Sequence, residues 1–221
     1  QLADWDGSLW NTYTPAWLPG FDYSGVYSSL QSDSAGDLHL AFIGGDISYG
    51  KVWYTQKTGD DWSPLVDVSG ETGVVNLSMT LDSAGKPHLA YNRHYYDNTL
   101  SQYLDKLTYA HFDGAAWQTP EEIADMQYLA PLAITTGPDG YPRLAYLDAS
   151  GLAYLAKSPS GWGAPVPIPD VGNSEYLYLG WLSPTRLGVT LFAGGAVQQI
   201  YADPPYQAWS APSEIFASRW V

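Results

Sequence analysis

A segment of about 50 residues recurs four times along the chain, a period typical of propellers, solenoids and other repeat arrays. Each copy begins with two alternating stretches around a tight turn, at 28–42, 77–91, 132–146 and, with the turn glycine replaced by Pro184-Thr185, at 178–192. A third stretch ends in Tyr, and a Trp follows eight residues later in every copy, giving the pairs Tyr54/Trp62, Tyr109/Trp117, Tyr154/Trp162 and Tyr201/Trp209. So regular a spacing indicates one structural unit used four times.

The composition of each copy indicates what this unit is. Every copy contains four short stretches of alternating character, rich in Val, Leu, Tyr and Trp, as β-strands are. Four strands per repeat are typical of a propeller blade, whereas a solenoid would carry helices or longer parallel strands. We therefore predict an all-β chain forming a four-bladed β-propeller of four-stranded antiparallel blades, at approximately 25–72, 73–127, 128–173 and 174–221.

Residues 1–24 hold an additional partial copy. The sequence WDGSLW at 5–10 aligns with FDGAAW at 112–117, the approach to an outer strand, so five outer strands accompany only four inner hairpins. The surplus strand either caps an edge of its own ring, or stands in for a poorly docked C-terminus, or completes a blade in a neighbouring subunit by strand addition. In the intersubunit case the anchors would be Trp5, Trp10, Tyr13 and Trp17.

The repeat is most complete in its second copy, which reads D-x-x-G-x-P-H-x-A-Y, then L-x-Y-A, then D-G-x-x-W, through Asp82, Gly85, Pro87, His88, Tyr91, Tyr109, Asp113, Gly114 and Trp117. This pattern resembles the repeats of secreted bacterial β-propellers, akin to the sialidase and BNR-type group. The resemblance implies the architecture and not the activity, because no copy contains the complete S-x-D-x-G-x-x-W box of sialidases.

The charge balance limits the partners. The chain carries 23 Asp+Glu against 9 Lys+Arg, a net charge of −14, which repels nucleic acid and anionic membrane surfaces. Neutral sugars, cations and other protein surfaces remain. The chain has no cysteine and no apolar run of the ~18 residues that a membrane helix needs. Its start at Gln1, without a basic and apolar leader, is typical of a mature secreted protein and equally of a trimmed chain. We expect an extracellular or cell-surface location.

Catalysis has little support in the sequence. His39 and His88 occupy one repeat position, which Arg143 and Gly188 fill in later copies, and the spacing of His94 and His111 matches no zinc site. Glycoside hydrolysis needs two carboxylates, but no pair stands out among Asp46, Asp97, Asp105, Asp148 and Glu175. A sialidase would need clustered arginines, and the chain has only Arg93, Arg143, Arg186 and Arg219. We expect no catalytic residues, no metal and no cofactor.

Recognition is better supported, because the second copy contains a Tyr-rich insertion at 92–105 between its second and third strands. Tyrosine combines stacking area with a hydroxyl group, as in many recognition loops, although such a loop could also fold over the ring for stability. The candidate ligand-binding residues are Trp53, His94, Tyr95, Tyr96, Asp97 and Tyr103.

Three functions remain. The first is a non-catalytic extracellular structural or adhesive module that binds copies of itself through its N-terminal strand, or binds another extracellular protein. The second is a lectin-like propeller that binds glycans, and a glycoside hydrolase is the third. Nucleic acid and membrane insertion are not expected.

Overall fold

The computed structural model describes residues 2–5, 8–13, 24–45, 50–169 and 174–217, and the regular elements in these ranges are all β-strands. The N-terminal strands are β1 (Leu2–Trp5) and β2 (Trp10–Tyr13). Blade one contains β3 (Ser24–Ser32), β4 (Leu38–Gly44), β5 (Lys51–Thr58), β6 (Asp61–Trp62) and β7 (Val66–Asp67). Blade two contains β8 (Val74–Leu81), β9 (Pro87–Asp97), β10 (Gln102–His111) and β11 (Glu121–Asp125). Blade three contains β12 (Leu132–Thr136), β13 (Pro142–Asp148), β14 (Gly151–Ser158), β15 (Gly161–Trp162) and β16 (Val166–Pro167). Blade four contains β17 (Ser174–Trp181), β18 (Leu187–Ala193), β19 (Ala196–Ala202) and β20 (Ser213–Ala217).

Each blade is an antiparallel sheet whose strands follow chain order from the first strand outward, with two short strands sharing the outer edge in blades one and three. The first strands contact one another in the order β3, β8, β12 and β17. The prediction of an all-β chain with four repeated antiparallel sheets is therefore confirmed. Closure of these sheets into a four-bladed ring stays a prediction.

The N-terminal segment contains a hairpin rather than a single strand. Strands β1 and β2 pair antiparallel with Trp5 opposite Trp10, and they form a sheet of their own. Phe112 lies opposite Trp117 in blade two in the same way, so the hairpin repeats the register predicted by the sequence alignment. Trp17 lies outside the described residues, as do the side chains of Trp5, Trp10 and Tyr13. Self-association through these residues stays a prediction.

The turn between the first two strands explains one part of the repeat. In blade two the Asp82 carboxylate accepts backbone hydrogen bonds from Ala84 at 2.8 Å and Lys86 at 2.9 Å. Gly85 has φ +74°, a backbone conformation that glycine adopts more readily than other residues. In blade four the Ser183 hydroxyl accepts the backbone hydrogen bonds instead, and the turn forms without the Asp and Gly of the other copies.

The second strand of each blade contributes to two interfaces. In blade two Leu89 and Tyr91 pack with residues of blade one, whereas Ala90 packs with residues of blade three. Successive side chains of a strand point to opposite faces, and here both faces are covered. The run Leu-Ala-Tyr is consequently apolar throughout instead of alternating with polar residues.

The repeated tyrosines and tryptophans join consecutive blades. The ring centroids are 5.0 Å apart for Tyr54–Trp117, 5.1 Å for Tyr109–Trp162 and 5.4 Å for Tyr154–Trp209, and all three pairs are edge-to-face. Each of these three tyrosines therefore packs on the tryptophan of the next blade, and not on the tryptophan eight residues after it in its own blade. Tyr201 does not follow the pattern either, because it lies opposite Gly188, whereas Tyr154 lies opposite Ala145.

Candidate functional site

The insertion at 92–105 is a continuation of the blade-two sheet, and its prediction as a loop was wrong. Strands β9 and β10 stay in register from His88 opposite His111 to Asp97 opposite Gln102. Only the tip turns, where the Asp97 carboxylate accepts backbone hydrogen bonds from Thr99 at 2.7 Å and Leu100 at 2.9 Å. We call residues 92–105 the rim hairpin.

One face of the rim hairpin carries a group of aromatic rings. The His94 and Tyr103 rings are stacked at 4.8 Å and an interplanar angle of 3°, and Tyr96 meets Tyr103 edge-on at 5.2 Å. Tyr128, from the connection between β11 and β12, reaches the same group with its ring 4.4 Å from that of His94. The Asp105 carboxylate holds the other side of His94 through Nδ1 at 3.0 Å. These four rings, His94, Tyr96, Tyr103 and Tyr128, are the rim aromatic cluster.

The opposite face of the rim hairpin is occupied by charged groups. The Arg93 guanidinium lies 4.2 Å from the Tyr95 ring centroid and forms ion pairs with Glu71 and Glu122. The Tyr95 hydroxyl donates to Glu122 at 3.4 Å. Desolvation and the nearby Glu122 charge raise the pKa of Tyr95 above its ordinary value. Tyr95 is thus held in a structural network on the far side from the rim aromatic cluster.

The remaining sequence-predicted residues divide between two roles. Asp97 is engaged in the hairpin turn. Trp53 lies in blade one, half-buried opposite Phe42 and Asp67, and the structure does not bring it to the rim hairpin. His94, Tyr96 and Tyr103 are therefore the predicted ligand-binding residues that come together.

A cavity of about 460 Å³ lies where the first strands of the four blades converge. Its lining includes Ser29 from blade one, Asn76 and Ser78 from blade two, and Glu175 and Tyr176 from blade four. Ser29 and Ser78 are held in place because their hydroxyls accept backbone N–H bonds from the next blade at 3.3 and 3.4 Å. A hydroxyl that accepts one bond also carries a hydrogen to donate, so the lining presents hydroxyl, amide and carboxylate groups to a ligand.

Two consecutive residues link the rim aromatic cluster to the cavity lining along the chain. Tyr128 belongs to the cluster, whereas Leu129 lines the cavity. The preceding residue, Gln127, holds this segment in place. Its backbone N–H donates to the Leu147 carbonyl at 2.9 Å, and its own carbonyl accepts from the Asn92 amide at 2.9 Å. Sequence reasoning missed Tyr128 and the cavity positions, although convergence of the first strands on one axis follows from a propeller arrangement.

Catalytic groups are not assembled at this site within the described residues. The Asp148 carboxylate accepts backbone bonds in the turn before β14, and Asp105 is bound to His94. Glu175 is the one carboxylate among the described residues that line the cavity. Asp46 lies outside the described residues.

The arginines are also separated. Arg93, Arg143 and Arg186 belong to three different blades, and each pairs with its own carboxylate partners, whereas Arg219 lies outside the described residues. Across the described ranges, no group of His, Asp or Glu side chains has the arrangement of a metal site. No helix in the described part of the chain could span a membrane.

The repeated histidines lie between blades and away from the cavity lining. The His88 imidazole is bound through Nδ1 to the Tyr109 hydroxyl at 2.6 Å, and His39 is bound to Tyr54 at 2.7 Å. Burial lowers the pKa of His88 to about 4. Both side chains are almost fully buried, so their role is structural.

Comparison with protein-family models and with curated proteins gave no match. Among solved structures, a Hadza microbial sialidase is similar at 14% identity over 85% of this chain and 46% of that chain, with a TM-score of 0.62. The fungal lectin of Aleuria aurantia, described as a six-bladed β-propeller with a fucose recognition mode, is 12% identical over 87% of this chain and 62% of that chain, with a TM-score of 0.59. A polysaccharide lyase of family PL25, an ulvan lyase, is 10% identical over 96% of this chain and 59% of that chain, with a TM-score of 0.63.

The chain thus spans less than two thirds of each of these three structures. Their likeness supports a β-propeller architecture. Because both enzymes and a lectin are among them, the architecture alone does not distinguish a binding protein from a catalytic one.

Proposed function

We propose that the chain is a non-catalytic carbohydrate-binding β-propeller, which holds a neutral sugar between the rim aromatic cluster and the central cavity. The observation that carries this proposal is that Tyr128 belongs to the cluster of four aromatic rings, whereas the next residue, Leu129, lines a cavity that presents hydroxyl and amide groups. Binding sites for small ligands typically combine apolar and aromatic walls with a few fixed polar groups. The proposed location is extracellular, as the sequence predicts.

The rim aromatic cluster is preorganised for stacking. Tyr103 has one ring face covered by His94 at 4.8 Å, yet 64% of the residue is exposed. Tyr96, 48% exposed, supports the ring edge-on. A ring that is already held in place loses little conformational entropy when a ligand stacks on it.

Binding is favoured over hydrolysis by the carboxylates. Hydrolysis of a glycosidic bond ordinarily requires two carboxyl groups on opposite sides of the bond, and Glu175 is the single carboxylate in the described cavity lining. A neutral ligand is favoured because a net charge of −14 repels acidic sugars.

The first test is a glycan array carrying neutral and sialylated glycans, probed with the intact chain and followed by calorimetric titration of a neutral glycan that binds. We expect Tyr103→Ala to weaken that binding at least about tenfold, or about 1.4 kcal/mol. Tyr103→Phe should keep the stacking and the affinity. Leu100→Ala is the matched control, since Leu100 is 58% exposed at the tip of the same hairpin.

The proposal fails if the intact chain binds no neutral glycan, or if Tyr103→Ala binds as tightly as the original. It would also be replaced by a catalytic function if the bound glycan were cleaved and Glu175→Gln abolished that cleavage.

A second candidate function is assembly by strand addition through the N-terminal hairpin. The observation that favours it is the separate β1–β2 sheet, whose register matches that of Phe112 and Trp117 in blade two. Such a hairpin has the form of the outer half of a blade. Deletion of residues 1–24 should then convert oligomers to monomers in light scattering and leave glycan binding unchanged, whereas identical masses for the two forms would exclude this role.

A further inference from the structure

The outer face of blade four differs from the faces that blades one to three turn towards their successors. In those blades the first strand presents a small residue opposite the second-strand alanine, namely Ser29, Ser78 or Ala133. The two serines accept hydrogen bonds from the backbone of the next blade, which shows how closely the strands approach. In blade four the corresponding residue is Tyr178, which is 67% exposed. A tyrosine there occupies the space through which the next strand passes in the other blades.

The other contact positions of this face are replaced as well. The small second-strand residue, alanine in blades one to three, is Thr190 in blade four, and the tyrosine opposite it is Gln199. The position of His39 and His88 is taken by Gly188. Tyr201 is 37% exposed, whereas Tyr54, Tyr109 and Tyr154 are at most 8% exposed. The face therefore lacks the side chains by which the other blades contact the next blade.

The same face presents large aromatic rings to the exterior. Tyr176, Tyr178 and Phe216 are 71%, 67% and 65% exposed. Tyr176 and Tyr178 are alternate residues of β17, about 7 Å apart along one face of the strand. The Tyr178 ring lies against Gly180, where an added Cβ would come within 2.7 Å of its Cε1 atom. The glycine thus lets the ring lie against the sheet backbone.

The described polar side chains beside the rings on this face are uncharged. Thr190 and Gln199 contribute a hydroxyl and an amide beside the rings, and the charges of Arg186 and Asp203 at the edge neutralise each other at 2.8 Å. In a chain with 23 acidic residues, an aromatic face with hydroxyl and amide groups matches neutral sugar rings, which stack on aromatic faces and exchange hydrogen bonds.

The face is continuous with the central cavity, because Tyr176 lines that cavity and precedes Tyr178 in the same row. We infer that a neutral polysaccharide runs from the cavity along the outer face of blade four, stacked on Tyr176 and Tyr178. This inference rests on the proposed function, since it takes the cavity to be a sugar site. It makes the ligand an extended chain instead of a single terminal sugar.

The test is affinity electrophoresis of the intact chain in gels containing hydroxyethylcellulose, galactomannan or xylan as neutral polymers, with alginate as an acidic one. We expect retardation by at least one neutral polymer and none by alginate. Tyr178→Ser should raise the dissociation constant for that polymer at least about tenfold, while Tyr178→Phe should leave it unchanged. Gly180→Ala should weaken retardation as well, because the added methyl group displaces the Tyr178 ring without removing it.

Binding of a short neutral glycan at the rim aromatic cluster separates this inference from the proposed function. Tyr178→Ser should leave that binding intact, and Tyr103→Ala should reduce it. If the short glycan binds but no neutral polymer retards the chain, or if Tyr178→Ser is retarded like the original, the polysaccharide face is wrong and the proposed function stands. If neither short glycan nor polymer binds, the proposed function itself has failed.

Light scattering at the concentration used in the gels tests whether a second copy of the chain, and not a polysaccharide, covers this face. We expect a mass that is the same for the intact chain and Tyr178→Ser. A dimer that Tyr178→Ser converts to a monomer would identify the face as a contact between copies of the chain and overturn the inference.

Discussion

The edge-to-face contact between Tyr109 and Trp162 allows the order of blade packing to be tested by a double-mutant cycle. Tyr109 is 1% exposed, and its ring centroid lies 5.1 Å from that of Trp162 at an interplanar angle of 82°. Such pairs contribute about 0.5–1.5 kcal/mol beyond the area they bury. Replacing both residues with Leu, singly and together, should therefore give a coupling free energy of about 1 kcal/mol.

The matched control is the pair suggested by sequence spacing. Trp117 follows Tyr109 by eight residues, but its ring lies 5.0 Å from Tyr54 in blade one. Tyr109→Leu and Trp117→Leu should consequently be additive to within about 0.5 kcal/mol. Tyr109→Leu alone removes a buried ring and should cost about 2–5 kcal/mol. Trp117 and Trp162 are partly buried, so their substitutions should cost less, and the cycle compares coupling and not the size of the individual losses.

The free energies of unfolding would come from urea denaturation followed by far-ultraviolet circular dichroism, with the slope checked for each variant. Circular dichroism is preferable here because substitution of tryptophans changes the fluorescence signal itself. A coupling between Tyr109 and Trp117 that equals or exceeds that between Tyr109 and Trp162 would refute the reasoning that these rings join consecutive blades.

Three further predictions concern pH, packing and backbone geometry. Burial lowers the pKa of His88 to about 4 in the folded chain, from an ordinary histidine pKa near 6.5 in the unfolded chain. Between these two pH values the unfolded chain binds more protons than the folded chain. The contribution of His88 to stability is therefore full above pH 6.5 and falls by up to about 3 kcal/mol as the pH drops from 6.5 to 4. Urea midpoints at pH 7, 5.5 and 4.5 should show this loss, and His88→Gln should reduce it. Ser78→Tyr, which puts the blade-four residue into blade two, should cost about 1–3 kcal/mol by overpacking, whereas Tyr178→Ser should change stability by less than about 0.5 kcal/mol in thermal unfolding. Gly73 has φ +96°, and an added Cβ would lie 2.2 Å from the His94 carbonyl oxygen at the base of the rim hairpin. Gly73→Ala should therefore lower the melting temperature markedly and weaken glycan binding in the calorimetric titration. An unchanged melting temperature would contradict that geometry.

The sequence was sufficient to predict features that depend on neighbouring residues along the chain. Strand alternation and turns such as Asp82 to Gly85 are local, and the structure confirms the four antiparallel sheets that they imply. The ring on which Tyr109 packs, that of Trp162, could not be predicted. The spacing between Tyr109 and Trp117 fixes their separation along the chain, but it does not say which blade covers the Tyr109 ring. The Tyr-rich composition of the insertion at 92–105 suits a recognition loop, but tyrosine also has high strand propensity, and here the insertion extends the sheet.

Departures from the repeat are more informative about function than the repeat itself. Ala90 and Tyr109 recur because each blade must pack on the next, and both are buried. Packing between blades does not require the exposed rings of Tyr103 and Tyr178. In blade three the hairpin that corresponds to the one carrying Tyr103 is shorter, and the position of Tyr178 is taken by Ala133. Exposed aromatic rings leave apolar surface in contact with water and commonly mark interaction sites. Tyr103 belongs to the cluster that also contains Tyr128, the neighbour of the cavity residue Leu129, and Tyr178 continues the row that begins with Tyr176 in the cavity wall. Two unrelated departures from the repeat therefore connect to the lining of one cavity, by ring contacts and by one or two residues along the chain, as the proposed shared ligand requires and blade packing does not.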